Sequence, residues 1–215
     1  IYEIGAAAES SLASKFDVED WLELLGHNDN DIYKAAVRCL PRRREDVIPL
    51  LEHYRSHPLI IGFSNKHIYQ ARLKLQKKSG GAGRTERGVF GFNISGSCER
   101  GPRNRSWVNK SESAAICDLV AQLRDESRSL SIGVVTPFRP QKELITDQLQ
   151  KRGILKGIVV DTVHRFQGDE RDVMIFGPVV AQGITEGAAR WVESPPNLIN
   201  VAATRAKEAF YFVAD

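Results

Sequence analysis

Polar side chains that suit phosphate chemistry stand in four short clusters along this 215-residue sequence. Tyr54 and Arg55 combine a flat ring with a fixed cation, which suits a base and a phosphate. A second cluster begins at Thr136, a hydroxyl beside a predicted helix start, where free backbone N–H groups bind anions. The third is a polar run at 161–170, and the fourth lies at 197–206. Taken singly, each has an ordinary alternative as a helix cap, a plain loop or a surface charge.

Short apolar runs predict the strands that must position these clusters. They lie at 88–94, 132–137, 157–162, 173–180 and 209–214, with helices predicted at 6–16, 18–25, 59–75, 111–123 (Ser111 as N-cap), 141–151 and 197–207. Strands of this kind alternating with amphipathic helices are typical of a mostly parallel sheet with helices on both faces. Ligands of such sheets bind beyond the carboxyl ends of the strands. We therefore expect function at 136–138, at 161–162 and after Val180.

Composition excludes several other classes of protein. Hydrophobic residues make up 42% of the chain, too many for a disordered one, and no 18-residue apolar run offers a membrane span. Three scattered cysteines suit neither a disulfide framework nor a zinc site, and Pro58 directly after His57 disfavours a metal face with His53. The sequence predicts no metal site, no membrane partner and a cytoplasmic protein, or a nuclear one in a eukaryote.

The net charge of +3 is unevenly distributed. Residues 72–110 hold 10 basic and 2 acidic side chains, a net charge of +8, in a stretch rich in Gly and Ser. Arginines on such a backbone neutralise phosphates without reading sequence. We expect Arg100, Arg103 and Arg105 to contact nucleic acid, so that neutralising them lowers affinity and flattens its salt dependence. We also expect 79–106 to be mobile in the isolated domain. A loop that only makes the protein more soluble is the alternative.

Several motifs in order resemble those of superfamily 1 helicases, in the branch of the RNA-decay and flap-processing helicases. They are HYRSHP with FSNKHIY, IGVVTPFRPQ, VDTVHRFQGDERDVMI and NVAATRAK, and the resemblance covers about 46–215. It implies an α/β, RecA-like P-loop NTPase fold for 46–215, as the second RecA-like domain of a helicase. Residues 1–45 would be the helical connection from the first RecA-like domain, and about 77–110 a basic insertion.

The resemblance also implies roles for individual residues. At the nucleotide, Tyr54 stacks on adenine, Arg55 reaches the γ-phosphate, Arg205 is the arginine finger, and Glu170 lies near the sugar and phosphates in a loop shaped by Gln167 and Gly168. At single-stranded DNA or RNA, the implied contacts are Thr136, Pro137, Phe138, Thr162 and His164. The sequence departs from the family at His53, often Gln, at Ser56, often Met, and at His164, commonly Asp. The last departure bears most on local nucleic-acid contacts.

The phosphate-cradling motif GxxxxGK[ST] does not occur in the sequence, and neither does an acidic Mg²⁺ motif. By resemblance these belong to the first RecA-like domain, upstream of Ile1, so the chain is expected to be a piece of a longer protein. ATP and Mg²⁺ are the expected cofactors, and single-stranded DNA or RNA and the first RecA-like domain the expected partners. The fragment alone is expected to be inactive. The alternative is a non-catalytic nucleic-acid-binding module from a helicase-like protein that has lost its ATPase.

Overall fold

The computed structural model describes residues 6–21, 36, 48–77, 86–102, 106–166, 168–193 and 197–215. The chain divides into two compact units, at 1–50 and 51–215. In the first, helix α1 (Ala6–Lys15) begins with three alanines, the residue with the highest helix propensity. It is followed by Asp17 at φ 55° and a 3₁₀ turn at Glu19–Trp21. Of the helix predicted at 18–25, the first half contains this 3₁₀ turn and the second half lies outside the described residues.

Nine strands and five helices are described in the second unit. The strands are β1 (Glu52–His53), β2 (Lys74–Leu75), β3 (Gly88–Asn93), β4 (Cys98–Arg100), β5 (Trp107–Asn109), β6 (Ile132–Thr136), β7 (Ile158–Thr162), β8 (Arg171–Phe176) and β9 (Ala206–Ala214). The helices are α2 (Pro58–His67), α3 (Lys110–Glu126), α4 (Arg139–Lys151), α5 (Glu186–Glu193) and α6 (Asn197–Ala203).

The five predicted apolar runs form one parallel sheet, in the order β3-β9-β8-β6-β7. Alternate residues of each strand point to opposite faces. Ile132 and Val134 therefore join a core cluster with α3 and α4, whereas Val135 joins a second cluster with α2 and α6. Helices on both faces of a parallel sheet confirm the predicted α/β fold class.

Three predicted elements have different bounds in the structure. The helix predicted at 59–75 ends at His67, because Gln70 and Ala71 take positive φ (54° and 58°) and the chain reverses into β2. The strand predicted at 173–180 ends at Phe176, since Gly177 packs against Glu112 and Val179 has φ 57°. The helix predicted at 197–207 ends at Ala203, because the chain turns there to begin β9.

The N-cap of α3 is Asn109 rather than the predicted Ser111. Its side-chain oxygen accepts a hydrogen bond from Glu112 N at 3.0 Å, and Ser111 lies exposed on the first turn. Both residue types are good caps. Asn109 is selected because the Gln141 side chain accepts from its backbone N–H at 2.9 Å and donates to its carbonyl at 3.0 Å.

The segment at 163–170, the cross-sheet connector, carries the chain from the end of β7 to the start of β8. Val163 N donates to Thr136 O at 3.2 Å, and Val163 and Phe166 are buried in the cluster on the α2 and α6 face. Gly133 makes room for this passage. A Cβ atom there would lie 2.7 Å from Phe166 Cζ and 2.5 Å from Met174 Sδ. The connector therefore packs directly against the strand that it crosses.

Candidate functional site

Two of the predicted nucleotide residues, Glu170 and Arg205, lie at the amino-terminal edge of the sheet. Glu170 immediately precedes β8 and Arg205 immediately precedes β9, and Arg171 N donates to Arg205 O at 3.0 Å. In a parallel sheet this edge is opposite the one that holds Thr136 and Thr162. The expectation that function concentrates at the carboxyl ends therefore misses this group, because the cross-sheet connector brings it to the other side.

Glu170 is the centre of a small charged cluster. Its Oε2 pairs with Arg55 Nε at 2.7 Å, and its Oε1 pairs with Lys207 Nζ at 2.8 Å. Arg55 also donates to Thr204 O at 3.3 Å. The hydrogen bond from Lys207, aided by the charges of Lys207 and Arg55, holds the pKa of Glu170 below its ordinary value. All three side chains stay more than one third exposed, so the cluster faces solvent.

Arg205 lies beside this cluster with an unsatisfied donor. Its Nε is buried and has no hydrogen-bond partner within the described part of the chain. Burial, and then the positive charge of Arg55, lower the pKa of Arg205, whereas Glu170 acts in the opposite direction. Three cations thus surround one carboxylate. A buried donor without an acceptor is costly.

The turn that carries Arg55 is fixed at both ends. His53 Nε2 accepts from Ser56 N at 2.9 Å, and His57 N donates to Lys207 O at 2.9 Å. Burial, followed by the charges of Arg55 and Lys77, lowers the pKa of His53, which favours the neutral imidazole that this hydrogen bond requires. The histidines thus hold the turn against the start of β9.

A second ion-pair group supports the same turn. Lys77 Nζ donates to Lys207 O at 2.7 Å and pairs with Glu208 at 2.7 Å. Arg87 pairs with the other oxygen of Glu208 at 3.1 Å. Glu208 is only 8% exposed, so this group anchors β9 rather than offering charge to a ligand.

Three more residues are predicted to lie at the nucleotide: Tyr54, Gly168 and Gln167. Tyr54 is 64% exposed, and its hydroxyl donates to a Glu52 carboxylate oxygen, which raises the pKa of Tyr54. A ring this open is available for stacking. Gly168 has φ 90°, in the left-handed region that favours glycine. Gln167 lies outside the described residues.

At the carboxyl edge, Thr136 and Thr162 are register partners on neighbouring strands. Thr136 is fully buried, and within the described residues its Oγ1 has no hydrogen-bond partner. Thr162 is half-buried. Phe138, at 8% exposure, packs against Trp191 with ring centroids 5.5 Å apart. The structure thus exposes Thr162 more than Thr136 to any strand that crosses this edge.

A buried polar network lies behind this edge. The Gln141 side chain joins Asn109 to Glu112, whose Oε1 accepts from Gln141 Nε2 at 3.1 Å and whose Oε2 accepts from Val179 N at 2.8 Å. Burial raises the pKa of Glu112 to about 8, although the two donated hydrogen bonds oppose this shift. The network fixes the start of α4, directly after Phe138.

Two cavities open at the carboxyl edge. One, of about 450 Å³, lies along α4 and β7 beside Lys142, Thr162 and Arg165. The other, of about 670 Å³, is lined by Phe138, Trp191 and prolines. Arg139 lines both, so the cavities are neighbours.

Of the histidine and the three arginines also predicted to contact nucleic acid, the structure describes two. His164 is exposed, and its ring centroid lies 6.1 Å from that of Trp191. The Arg100 guanidinium carbon lies 4.0 Å from the centroid of the Trp107 ring, on the antiparallel pair of β4 and β5. Arg103 and Arg105 lie outside the described residues.

Three residues that contact the candidate site or the network behind it were not singled out from the sequence: Lys207, Trp191 and Glu112. Lys207 stands inside the motif NVAATRAK, so proximity to Arg205 was a signal. Trp191 and Glu112 carried none, because only the folded chain brings them to Phe138 and Gln141.

Two general features concern metals and membranes. Across the ranges that the structure describes, no three His, Cys, Asp or Glu side chains are grouped so that they could hold a metal ion. None of the helices in the described part of the chain combines the length and apolarity that a membrane span requires.

Comparison with known proteins gives consistent relatives. The profile of the AAA_12 family, an AAA domain, matches residues 32–215. The probable helicase senataxin of Homo sapiens is 29% identical over 178 residues, covering 79% of this chain and 6% of that protein. Regulator of nonsense transcripts 1 of Dictyostelium discoideum is 32% identical over 177 residues, covering 72% and 12%. Its homolog in Arabidopsis thaliana is 29% identical over 175 residues, covering 74% and 14%. The chain thus spans between 6% and 14% of the length of these relatives.

Proposed function

We propose, from the premise that this chain belongs to the AAA_12 family of AAA domains among the superfamily 1 helicases, that it is one half of an ATP-driven motor. It is the second RecA-like domain of an ATP-dependent helicase or translocase that moves on single-stranded DNA or RNA. Its amino-terminal edge supplies half of the ATP cleft and its carboxyl-terminal edge half of the strand track.

The observation that carries this proposal is the cluster of Arg55, Arg205 and Lys207 around Glu170. Arg205 has a buried Nε with no partner within the described residues, and the cluster has more cations than its one carboxylate neutralises. Guanidinium groups match phosphate oxygens in geometry and charge. The polyanionic tail of a nucleoside triphosphate is a ligand whose charge matches this excess of cations.

In this proposal the residues keep the roles that the family resemblance implies. ATP supplies a phosphoanhydride bond whose cleavage drives movement. Arg205, as arginine finger, and Arg55 donate to the γ-phosphoryl oxygens, where negative charge is spread in the transition state. Glu170 holds Arg55 and Lys207 in place before the nucleotide arrives, and the exposed ring of Tyr54 stacks on adenine. Gln167 and Gly168 shape the adjacent loop.

The strand track lies at the opposite edge. Thr162, Pro137, Phe138 and His164 contact the nucleic acid, and Arg100, Arg103 and Arg105 add charge to its phosphates. Thr136 shapes the backbone beneath them, since its carbonyl accepts from Val163 N at 3.2 Å. Contacts to the sugar–phosphate backbone of a single strand carry no base sequence, so this part of the site suits translocation.

The first RecA-like domain of the same protein completes the cleft. The sequence of this chain contains no GxxxxGK[ST] motif, and we assign the phosphate cradle and the Mg²⁺ ligands to that domain. This chain on its own is therefore expected not to hydrolyse ATP.

The experiment measures ATP hydrolysis by the complete protein, with and without oligo(dT) or oligo(rU). We expect stimulation by a single strand, and a loss of about 10³-fold or more in kcat for Arg205→Ala. Arg205→Lys restores the charge but not the planar fork, so it should recover little. Arg190→Ala is the matched control, because Arg190 pairs with Glu186 on the surface of α5.

Two results would contradict the proposal. Hydrolysis by Arg205→Ala at the wild-type rate would remove Arg205 from the reaction. Tight binding of single strands with no ATP hydrolysis under any condition would make the protein a non-catalytic binding module.

A further inference from the structure

The segment at 177–183, the post-β8 turn, has a backbone that needs support. Val179 has φ 57° and Gly183 has φ 96°. A β-branched residue in the left-handed region is rare, and it persists only where its surroundings hold it there. The turn includes the stretch after Val180 where the sequence leads us to expect function, and the proposed function gives it no role.

Both backbone groups of Val179 are held by buried side chains. Its N–H donates to Glu112 Oε2 at 2.8 Å, and its carbonyl accepts from Cys98 Sγ at 3.3 Å. Glu112 is 0% exposed and Cys98 is 7% exposed. Cys98 N also donates to Gln182 O at 2.7 Å. The turn is therefore tied to α3 through Glu112 and to β4 through Cys98.

The Glu112 carboxyl group also holds the start of α4. Its Oε1 accepts from Gln141 Nε2 at 3.1 Å. The direction of the Gln141 amide is fixed, because its oxygen accepts from Asn109 N at 2.9 Å and its nitrogen also donates to Asn109 O at 3.0 Å. Two N–H donors thus point at residue 112. Only a carboxyl group accepts on both oxygens, whereas a glutamine would turn its NH₂ group towards one of the donors.

The two elements that Glu112 holds both lie at Phe138. Val179 is fully buried and belongs to the same core cluster as Phe138 and Val192. Phe138 is also the N-cap residue of α4, three residues before Gln141. Glu112 therefore joins the turn and the helix start that together set the position of Phe138.

We propose that Glu112 is a positioning residue of the strand track: it holds the post-β8 turn to the start of α4 and so fixes Phe138 for contact with a single strand. The proposal rests on the proposed function, in which Phe138 contacts the nucleic acid. Glu112 itself has no exposed surface, so it acts through Val179 and Gln141. A surface that is fixed before binding loses less conformational freedom when the strand arrives, which raises affinity.

The experiment separates positioning from stability with three variants of the complete protein. Glu112→Gln keeps the size of the side chain and removes one acceptor. Gly177→Ala leaves Glu112 in place but adds a Cβ atom that would collide with Glu112 Oε1. Ser113→Ala is the matched control, because the buried Ser113 hydroxyl donates to Gln148 Oε1 at 2.9 Å, a hydrogen bond between α3 and α4 away from the turn.

Three quantities are measured for wild type and for each variant. Fluorescence anisotropy without nucleotide gives the affinity for fluorescein-labelled oligo(dT) or oligo(rU), whichever wild type binds more tightly. ATP hydrolysis at increasing concentrations of the same strand gives the half-maximal concentration and the kcat at saturation. Urea unfolding gives the free energy of unfolding, so that affinities are compared where every variant is folded.

We expect Glu112→Gln and Gly177→Ala to weaken strand binding by about three- to tenfold, within the range found for residues that touch no ligand. The half-maximal concentration should rise by the same factor. The kcat at saturation should stay at the wild-type value, because the charged cluster at the other edge is intact. Ser113→Ala should lose stability and keep the wild-type affinity.

Three results would overturn the proposal. Wild-type affinity in the folded Glu112→Gln variant would mean that strand binding does not depend on the carboxyl group. An equal loss of affinity in Ser113→Ala would mean that Glu112 acts only through the stability of the fold. A fall in kcat at saturation with unchanged affinity would place the effect of Glu112 in hydrolysis instead. If Glu112→Gln does not fold, Gly177→Ala decides by the same criteria.

Failure of the proposed function would be visible separately. A wild-type protein that binds the strand but hydrolyses no ATP would not be a motor, and anisotropy alone would still decide the role of Glu112. A wild-type protein that binds neither oligo(dT) nor oligo(rU) would exclude the strand track, and this proposal with it.

Discussion

The two edges of the sheet are built from opposite chemistry. At the amino-terminal edge, Arg55, Glu170 and Lys207 are charged, paired with one another and open to water. At the carboxyl-terminal edge the polar groups that fix the backbone, such as Glu112 and Gln141, are fully buried, and Phe138 packs against Trp191 in front of them. The ion pairs around Glu170 are open to solvent, whereas the hydrogen bonds of Glu112 and Gln141 are not.

This difference has an energetic meaning. Exposed ion pairs contribute about 0–1 kcal/mol each, so an arriving polyanion replaces them at little cost. Breaking a buried hydrogen bond leaves a polar group without a partner and costs about 1–3 kcal/mol. The amino edge is thus suited to exchanging its charged partners for those of a ligand, and the carboxyl edge to presenting a fixed surface.

Removal of Arg55 is the strongest test that the two edges do separate work. We expect Arg55→Ala to lower kcat for ATP hydrolysis by about 10²–10³-fold, because one preorganised donor to the γ-phosphate is lost. The affinity for single strands, measured without nucleotide, should not change. If the affinity for single strands fell as much as the rate of ATP hydrolysis, the two edges would not act separately.

Glu112 tests the buried character of the carboxyl edge. Because burial raises the pKa of Glu112 to about 8, the folded protein retains a proton that the unfolded chain releases. The free energy of unfolding should therefore fall as pH rises from about 5 to 8 and level off above that range. Glu112→Gln does not titrate, so its decline over this range should be smaller by roughly 3 kcal/mol.

The measurement is urea unfolding at pH 5, 6, 7 and 8. Glu99→Gln is the control, because Glu99 is an exposed carboxylate paired with Lys110 on the surface. Identical pH slopes for wild type and Glu112→Gln would mean that the carboxyl group is not buried as described.

The smallest expected effect concerns Arg165, an exposed cation beside Thr162 in the smaller cavity. Arg165→Gln should reduce the slope of log affinity against log salt for a single strand by about 0.7, the share of one neutralised phosphate. Anisotropy titrations between low and moderate salt measure this slope. A weaker affinity with an unchanged slope would show that Arg165 supports the fold instead of contacting phosphate.

Much of the fold was predictable because its signals are local. The five strands are continuous apolar runs, and each appears in the sheet within a few residues of its predicted bounds. The predicted bounds are wrong where contacts with residues distant in the sequence determine the end of an element. Gln141 selects Asn109 over Ser111 as the cap of α3, and the turn into β9 ends α6 before Arg205.

Which residues belong to the candidate site was predictable from the sequence, but the edge of the sheet that was expected to carry function was the opposite one. Arg55, Glu170 and Arg205 were singled out by motif, and the structure brings them together. Their edge follows from the predicted parallel sheet, because residues that directly precede a strand lie at its amino-terminal end, but the sequence-based expectation considered only the carboxyl ends. Trp191 and Glu112 depend on packing between separate elements, which periodicity does not report. The roles of all these residues stay predictions.

The cross-sheet connector also sets a mechanical condition. Eight residues join Thr162 at one edge to the start of β8 at the other, and Phe166 pins their middle against Gly133, where even a methyl group would not fit. The contact of Phe166 with Gly133 therefore couples the middle of this segment to β6. Enlargement of residue 133 would therefore disturb β6 and the segment that links the two edges at the same time.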